Sequence, residues 1–276
     1  METVTDVAEL KAMKFSANEL KEEGGLEADV LRKAFGAAEL KEAGFLAADL
    51  KSAGFDFGEL KSAGFIANEL KAADFTLEEL HEGGVGVKEM MEANFTAVDL
   101  KDIWEVKELM DHFDCAALKG ANFTASDLRM KFDAVALKQA GFMALDLREA
   151  NFSVKELKDA KFSVEDLKVG GFEAKAFKDG GFGIKELAVF TPTDLKNAGF
   201  SAKQLNEDGG YTVEDLKNAG FTLDNLCKEG FQAKALKEGK YTPSDLREKF
   251  SAGQLQEAGF SALMLKDAGF SAKDLK

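Results

Sequence analysis

The hydrophobic positions of this chain recur in a ten-residue rhythm. Leu10, Leu20, Leu40 and Leu50 begin a series that continues to the C-terminus, dividing the chain into 28 units with Leu at the fifth position of 25 and Val30, Met90 and Phe177 in the others. An aromatic residue fills the tenth position in 25 of 27 units, Gly25 and Val85 being the departures, so the pattern is a copied unit rather than a chance bias. At about 100° per residue the second, fifth, eighth and ninth positions fall on one arc and the third, fourth, sixth and seventh opposite it. Each unit therefore predicts one very short amphipathic helix.

Helix boundaries are written into the same unit. Ser, Thr, Asp or Gly commonly opens it and an acid follows three residues later, as in Ser16 with Glu19 and Thr96 with Asp99, the pairing of a capping box. The only two prolines, Pro192 and Pro243, each follow a Thr at the first helical position, where the missing N–H costs nothing. Lys at the sixth position opposes the helix dipole, and Gly at the ninth suits a left-handed residue just past the helix end. Helices this short are unstable alone and must borrow a core from their neighbours. The expected fold is all-α: an elongated solenoid of about 27 short helices over one continuous array, residues 1–276.

Leu-to-Leu spacing departs from ten at intervals ending at Leu109, Leu118, Leu137, Leu195, Leu216 and Leu255. In each the change lies between Leu and the following aromatic, which makes the helix C-terminus and turn the tolerant part. On this reading Leu167→Ala removes a buried side chain at ~2–5 kcal/mol, whereas Lys168→Ala, on the exposed face, stays within ~0.5 kcal/mol.

Phe and Leu alternating every five residues, as around Ala48-Asp49-Leu50-Lys51-Ser52, also resemble the pentapeptide-repeat family. That resemblance implies a right-handed β-solenoid, and with it an acidic rod that mimics duplex DNA and inhibits a nucleic-acid enzyme. The residue two before the central Leu would then point inward, yet it is charged at Lys88, Lys107, Lys155, Glu165 and Lys203. Burying those charges unpaired would cost several kcal/mol each, which favours the helical reading. Units such as Phe-Ser-Ala-Lys-Asp-Leu-Lys look like the tandem decapeptide arrays of uncharacterised proteins, a resemblance that implies no activity.

Composition narrows the function. Net charge is −14, but 36 basic residues are interspersed with 50 acidic ones, without the clustered basic face that direct nucleic-acid contact requires. The first six residues carry neither a basic region nor an apolar run, and no stretch approaches the ~18 apolar residues of a membrane span, so a soluble chain is expected, one that a membrane-protein complex could still recruit. Cys115 and Cys227 give no disulfide framework, which fits a reducing compartment.

Candidate chemistry is sparse. His81 and Cys227 sit in the Lys slot, and Cys115 replaces a small buried Ala. His112 and Cys115 have metal-like spacing, but two ligands do not make a zinc site, and Asp111 and Asp114 read as solvated carboxylates. Gly83-Gly84-Val85-Gly86 and Gly180-Gly181-Phe182-Gly183 lack the Lys-Ser/Thr of a phosphate loop and fall on turns. These residues imply no catalysis, cofactor or metal. The expected function is a non-catalytic scaffold, spacer or linker subunit contacting other proteins. Its rhythm breaks near 101–119, where two turns shorten and the only Trp replaces Phe, so Trp104, Met110 and His112 are the candidate protein-binding residues.

Overall fold

The computed structural model describes residues 6–275; residues 1–5, most of the N-terminal stretch considered above, lie outside the described residues. These contain 26 α-helices of four to six residues and one 3₁₀ turn, Ile184–Leu187, with no strand among them. The fold is an all-α solenoid of short helices, not a pentapeptide β-solenoid. Charges at Lys88, Lys107, Lys155, Glu165 and Lys203 are all exposed, because a helix turns its third position away from the fifth where a β-coil would point both residues inward. The helices gather into two compact units, Met1–Lys131 and Phe132–Lys276, while the repeat continues in the sequence across that boundary.

Each helix starts as its residues dictate. In Ala17–Glu22 the Ser16 hydroxyl accepts from Glu19 N–H at 3.2 Å and the Glu19 carboxylate accepts from Ser16 N–H at 2.8 Å. Pro192 and Pro243 occupy the first helical position behind Thr191 and Thr242. The end is equally regular: Gly44, at φ +74°, donates to Lys41 O and Phe45 donates to Leu40 O, closing the helix with its carbonyls satisfied.

One bond survives most changes of length, the turn after Leu128 excepted, where Lys131 N–H donates to Leu128 O. The ring residue's N–H donates to the carbonyl of the ladder Leu across five residues in Phe45 to Leu40, four in Trp104 to Leu100, three in Phe190 to Leu187 and six in Tyr211 to Leu205. Insertions and deletions are absorbed between these two fixed points. The same bond corrects the sequence register near residue 30, since Leu26 N–H donates to Leu20 O, and Phe35 N–H to Leu31 O. Leu31, fully buried, is the ladder residue there, and Val30 is only half-buried. An eleven-residue interval followed by a nine-residue one had summed to two ordinary repeats, hiding both.

Within each compact unit a helix stacks on the next but one. Ala47–Ser52 packs on Ala67–Ala72, which packs on Val87–Glu92; Ala144–Glu149 packs on Val164–Val169, and Val213–Asn218 on Ala233–Glu238. Two repeats thus make one coil. From Leu31 to Leu265 the fifth-position ladder, including Leu50, Leu80, Met90, Leu167 and Phe177, is fully buried, and the rings between Phe35 and Phe260 are buried or half-buried. Close-packed Leu and Phe supply the apolar burial that six-residue helices lack individually.

Candidate functional site

Most of the polar residues that recur along the chain are consumed by its own architecture. Besides opposing its own helix dipole, the sixth-position Lys reaches the next coil. Lys51 Nζ donates to Ala73 O at 3.1 Å and Asp74 O at 2.8 Å while lying 3.9 Å from the Phe75 ring centroid. Lys21 does the same with Ala43 O, Gly44 O and the Phe45 ring, and Lys138 with Ala160 O, Lys161 O and the Phe162 ring. Arg32, which follows the true ladder residue Leu31, takes this role over Phe55 and Ala53 O. Some of these cations also meet an acid from the following helix, as Lys11 meets Glu39 at 2.8 Å and Lys41 meets Glu69 at 3.3 Å. Each is a clip combining a charge-assisted hydrogen bond with a cation–π contact. Lys168 is exposed, as its face predicts, yet it is one of them: its head group lies over Phe190 and donates to Val189 O.

The glycine clusters have a steric explanation. A Cβ on Gly83 would lie 1.8 Å from the Phe57 ring, one on Gly180 3.1 Å from Val154 Cγ1, and one on Gly239 2.4 Å from Val213 Cγ1. The eighth position therefore shrinks where the second position of the previous coil enlarges. In each cluster the next Gly, Gly84 at φ +74° and Gly181 at φ +75°, closes the helix. Gly86 and Gly183 then open the following one.

The sequence-singled residues are dispersed. Trp104 and Met110 are buried at 6% and 5% exposure, so Trp104 belongs to the ring ladder, while His112 is exposed. The three do not present one accessible face. Asp111 pairs with Lys131 at 2.7 Å, and this ammonium holds its carboxyl below the usual range. Asp114 caps the next helix by accepting from Ala117 N–H. Cys115 is buried, and burial first, then the Asp114 charge, push its thiol up; burial likewise raises half-buried Cys227, which disfavours the reactive thiolate. Among the described residues no three His, Cys, Asp or Glu side chains gather as metal ligands, and no helix is long and apolar enough to cross a membrane.

The geometry describes a repeat most of whose recurring positions have an internal partner, and its match is in keeping. A family model described as a decapeptide repeat region matches residues 4–67, 34–103, 131–202, 185–249 and 210–276. The chain belongs to the decapeptide repeat family. The family model leaves residues 104–130 of this decapeptide-repeat chain unmatched, the stretch that holds Trp104, His112 and Cys115. Searches of curated proteins and of solved structures found no match.

What sequence reasoning missed is a set of apolar residues in cap slots. Leu46, Ile66 and Met143 stand at helix N-caps, 69%, 62% and 66% exposed. None makes a side-chain cap bond; only the returning acid remains, as in Leu46 N–H donating to Asp49 at 2.9 Å. Relative to Ser or Thr such a cap forgoes about 0.5–2 kcal/mol. The signal was legible as Leu or Ile where the repeat otherwise places Ser, Thr, Asp or Gly.

Proposed function

We propose that this decapeptide-repeat chain is a non-catalytic scaffold, spacer or linker that holds other proteins along its helical surface. The observation that carries the reading is the exposed pair Leu46 and Ile66, which open two directly stacked helices and give up a stabilising cap to present apolar surface. Polar groups common to the repeats are committed to caps and clips, leaving variable positions of this kind to distinguish one place from another. The DNA-mimic alternative loses its footing with the β-solenoid on which it depended.

A photo-crosslinking amino acid placed at 46 or 66 in cells that make the protein should capture discrete protein partners. Placement at exposed Lys88 serves as the comparison. Equal capture at all three positions, or none at 46 and 66, would overturn the assignment of this surface.

A further inference from the structure

The exposed apolar residues at 46 and 66 stand among carboxylates. Ala28–Leu31, Ala47–Ser52 and Ala67–Ala72 stack in that order, so Glu27, Leu46 and Ile66, which precede them, come onto one edge. Leu46 N–H donates to the Asp49 carboxylate at 2.9 Å and Ile66 N–H to that of Glu69 at 2.8 Å, so each apolar residue has an acid beside it. Glu27 and Asp29, at the start of the first of the three helices, are exposed, and Glu27 makes no cap bond. Nearby cations are turned to other tasks: Arg32, Lys51 and Lys71 grip turn carbonyls and rings. Among the described residues the only ion pair to these four acids is from Lys41, 3.3 Å from Glu69. Lys88, exposed on the next stacked helix, Val87–Glu92, bounds the acidic stretch. The imbalance extends over the compact unit: residues 1–131 hold 15 Lys and Arg against 27 Asp and Glu, residues 132–276 21 against 23. An apolar pair set in such a field disfavours anionic partners and draws basic ones.

Spacing narrows the partner further. Leu46 and Ile66 hold the same place on two stacked helices, so they are separated by about the interaxial distance of 8–10 Å. Side chains at i and i+7 of an α-helix share a face about 10.5 Å apart. Same-face residues of a strand lie about 7 or 14 Å apart, too near or too far for this pair. Ala48, Ser52, Asn68 and Ala72, short and exposed on the same two helices, leave the approach open. We propose that this edge takes a basic amphipathic helix of another protein, with aliphatic side chains at i and i+7 seated on Leu46 and Ile66 and flanking Lys or Arg side chains meeting Glu27, Asp29 and Asp49. This rests on the protein-holding role proposed above for the same surface. The apolar pair sets the partner's spacing, and the acids set its sign.

The probe is a display library of random peptides of about 20 residues, selected on the full chain and counter-selected on the double variant Leu46→Ser/Ile66→Thr. These substitutions supply the cap hydroxyls that the native residues lack, so the variant should match or exceed wild type in urea denaturation, and its loss of binding is not loss of fold. Enriched peptides should be net positive, carry aliphatic residues at i and i+7, and gain helical circular dichroism on binding. For a selected peptide, Kd should rise about 3–10-fold on Glu27→Gln/Asp49→Asn and also rise with salt. Asn at 49 keeps the capping acceptor, as Asn225 does toward Thr222 N–H. Enrichment of neutral or acidic peptides, absence of the i, i+7 pair, or a Kd indifferent to the acid substitutions would overturn the basic-helix assignment while leaving the protein-holding role standing. A library in which no peptide distinguishes wild type from Leu46→Ser/Ile66→Thr would overturn both.

Discussion

Gly239 and Val213 offer the sharpest test of how the coils fit. A Cβ on Gly239 would lie 2.7 Å from Val213 Cβ and 2.4 Å from its Cγ1, about 1 Å inside ordinary contact, and a branched residue cannot rotate its Cβ away. Gly239 itself has φ −79°, a conformation open to Ala. Gly239→Ala should therefore gain about 0.4–1 kcal/mol through the unfolded state, lose ~1–3 kcal/mol to overpacking, and come out destabilised. Val213→Ala removes two buried methyl-sized groups at roughly 0.8 kcal/mol each plus a cavity contribution. Together the substitutions recreate the pair at Ala17 and Ala43, the same repeat positions with both residues at 5% exposure. The double variant should thus be at least as stable as Val213→Ala alone, with a coupling of about 1–3 kcal/mol. Urea denaturation followed by helical circular dichroism measures the cycle, provided the slope m is unchanged. Additivity within ~0.5 kcal/mol, or a stabilised Gly239→Ala, would refute the fit argument.

Three further outcomes follow from the same geometry. Lys51→Met keeps the aliphatic stem but removes the cation from the Phe75 ring and the turn carbonyls, so the urea midpoint should fall by the equivalent of about 1–2 kcal/mol; no change would show the clip to be idle. Lys161 is held at φ +63°, and Lys161→Gly should raise thermal stability by about 1 kcal/mol, because the carbonyl that Lys138 grips is retained while left-handed strain is relieved. Bonds from the cap threonine, its hydroxyl first in Asp99, Asp194 and Asp215 and its backbone N–H first in Asp245, hold these carboxyls below their usual range. Their contribution is therefore present above the ordinary carboxylate pKa of about 4 and lost as pH falls through the folded values. Asp245→Asn, which can cap as Asn225 does for Thr222, should lose less stability than wild type between about pH 5 and pH 3, as denaturation at each pH would record.

The sequence alone determined most of what is local to one unit. Ser16 with Glu19, Pro192 behind Thr191 and a Gly after the helix each act within ten residues, so their spacing along the chain is also their spacing in space. Tertiary structure decided what connects residues some 20–30 apart. Whether Lys51 faces solvent or the Phe75 ring depends on two repeats making one coil, a number that no helix encodes by itself. Gly83 reads as turn punctuation until Phe57 is found against it, and Trp104 reads as a surface anchor until the coil encloses it. The register at Val30 and Leu31 needed the structure for a related reason: two opposite length changes cancel in sequence, but the hydrogen bonds from Leu26 to Leu20 O and from Phe35 to Leu31 O form only at the true positions. Leu46 and Ile66 were visible in the sequence as breaks in the cap pattern; stacking of their helices is what joins them into one surface.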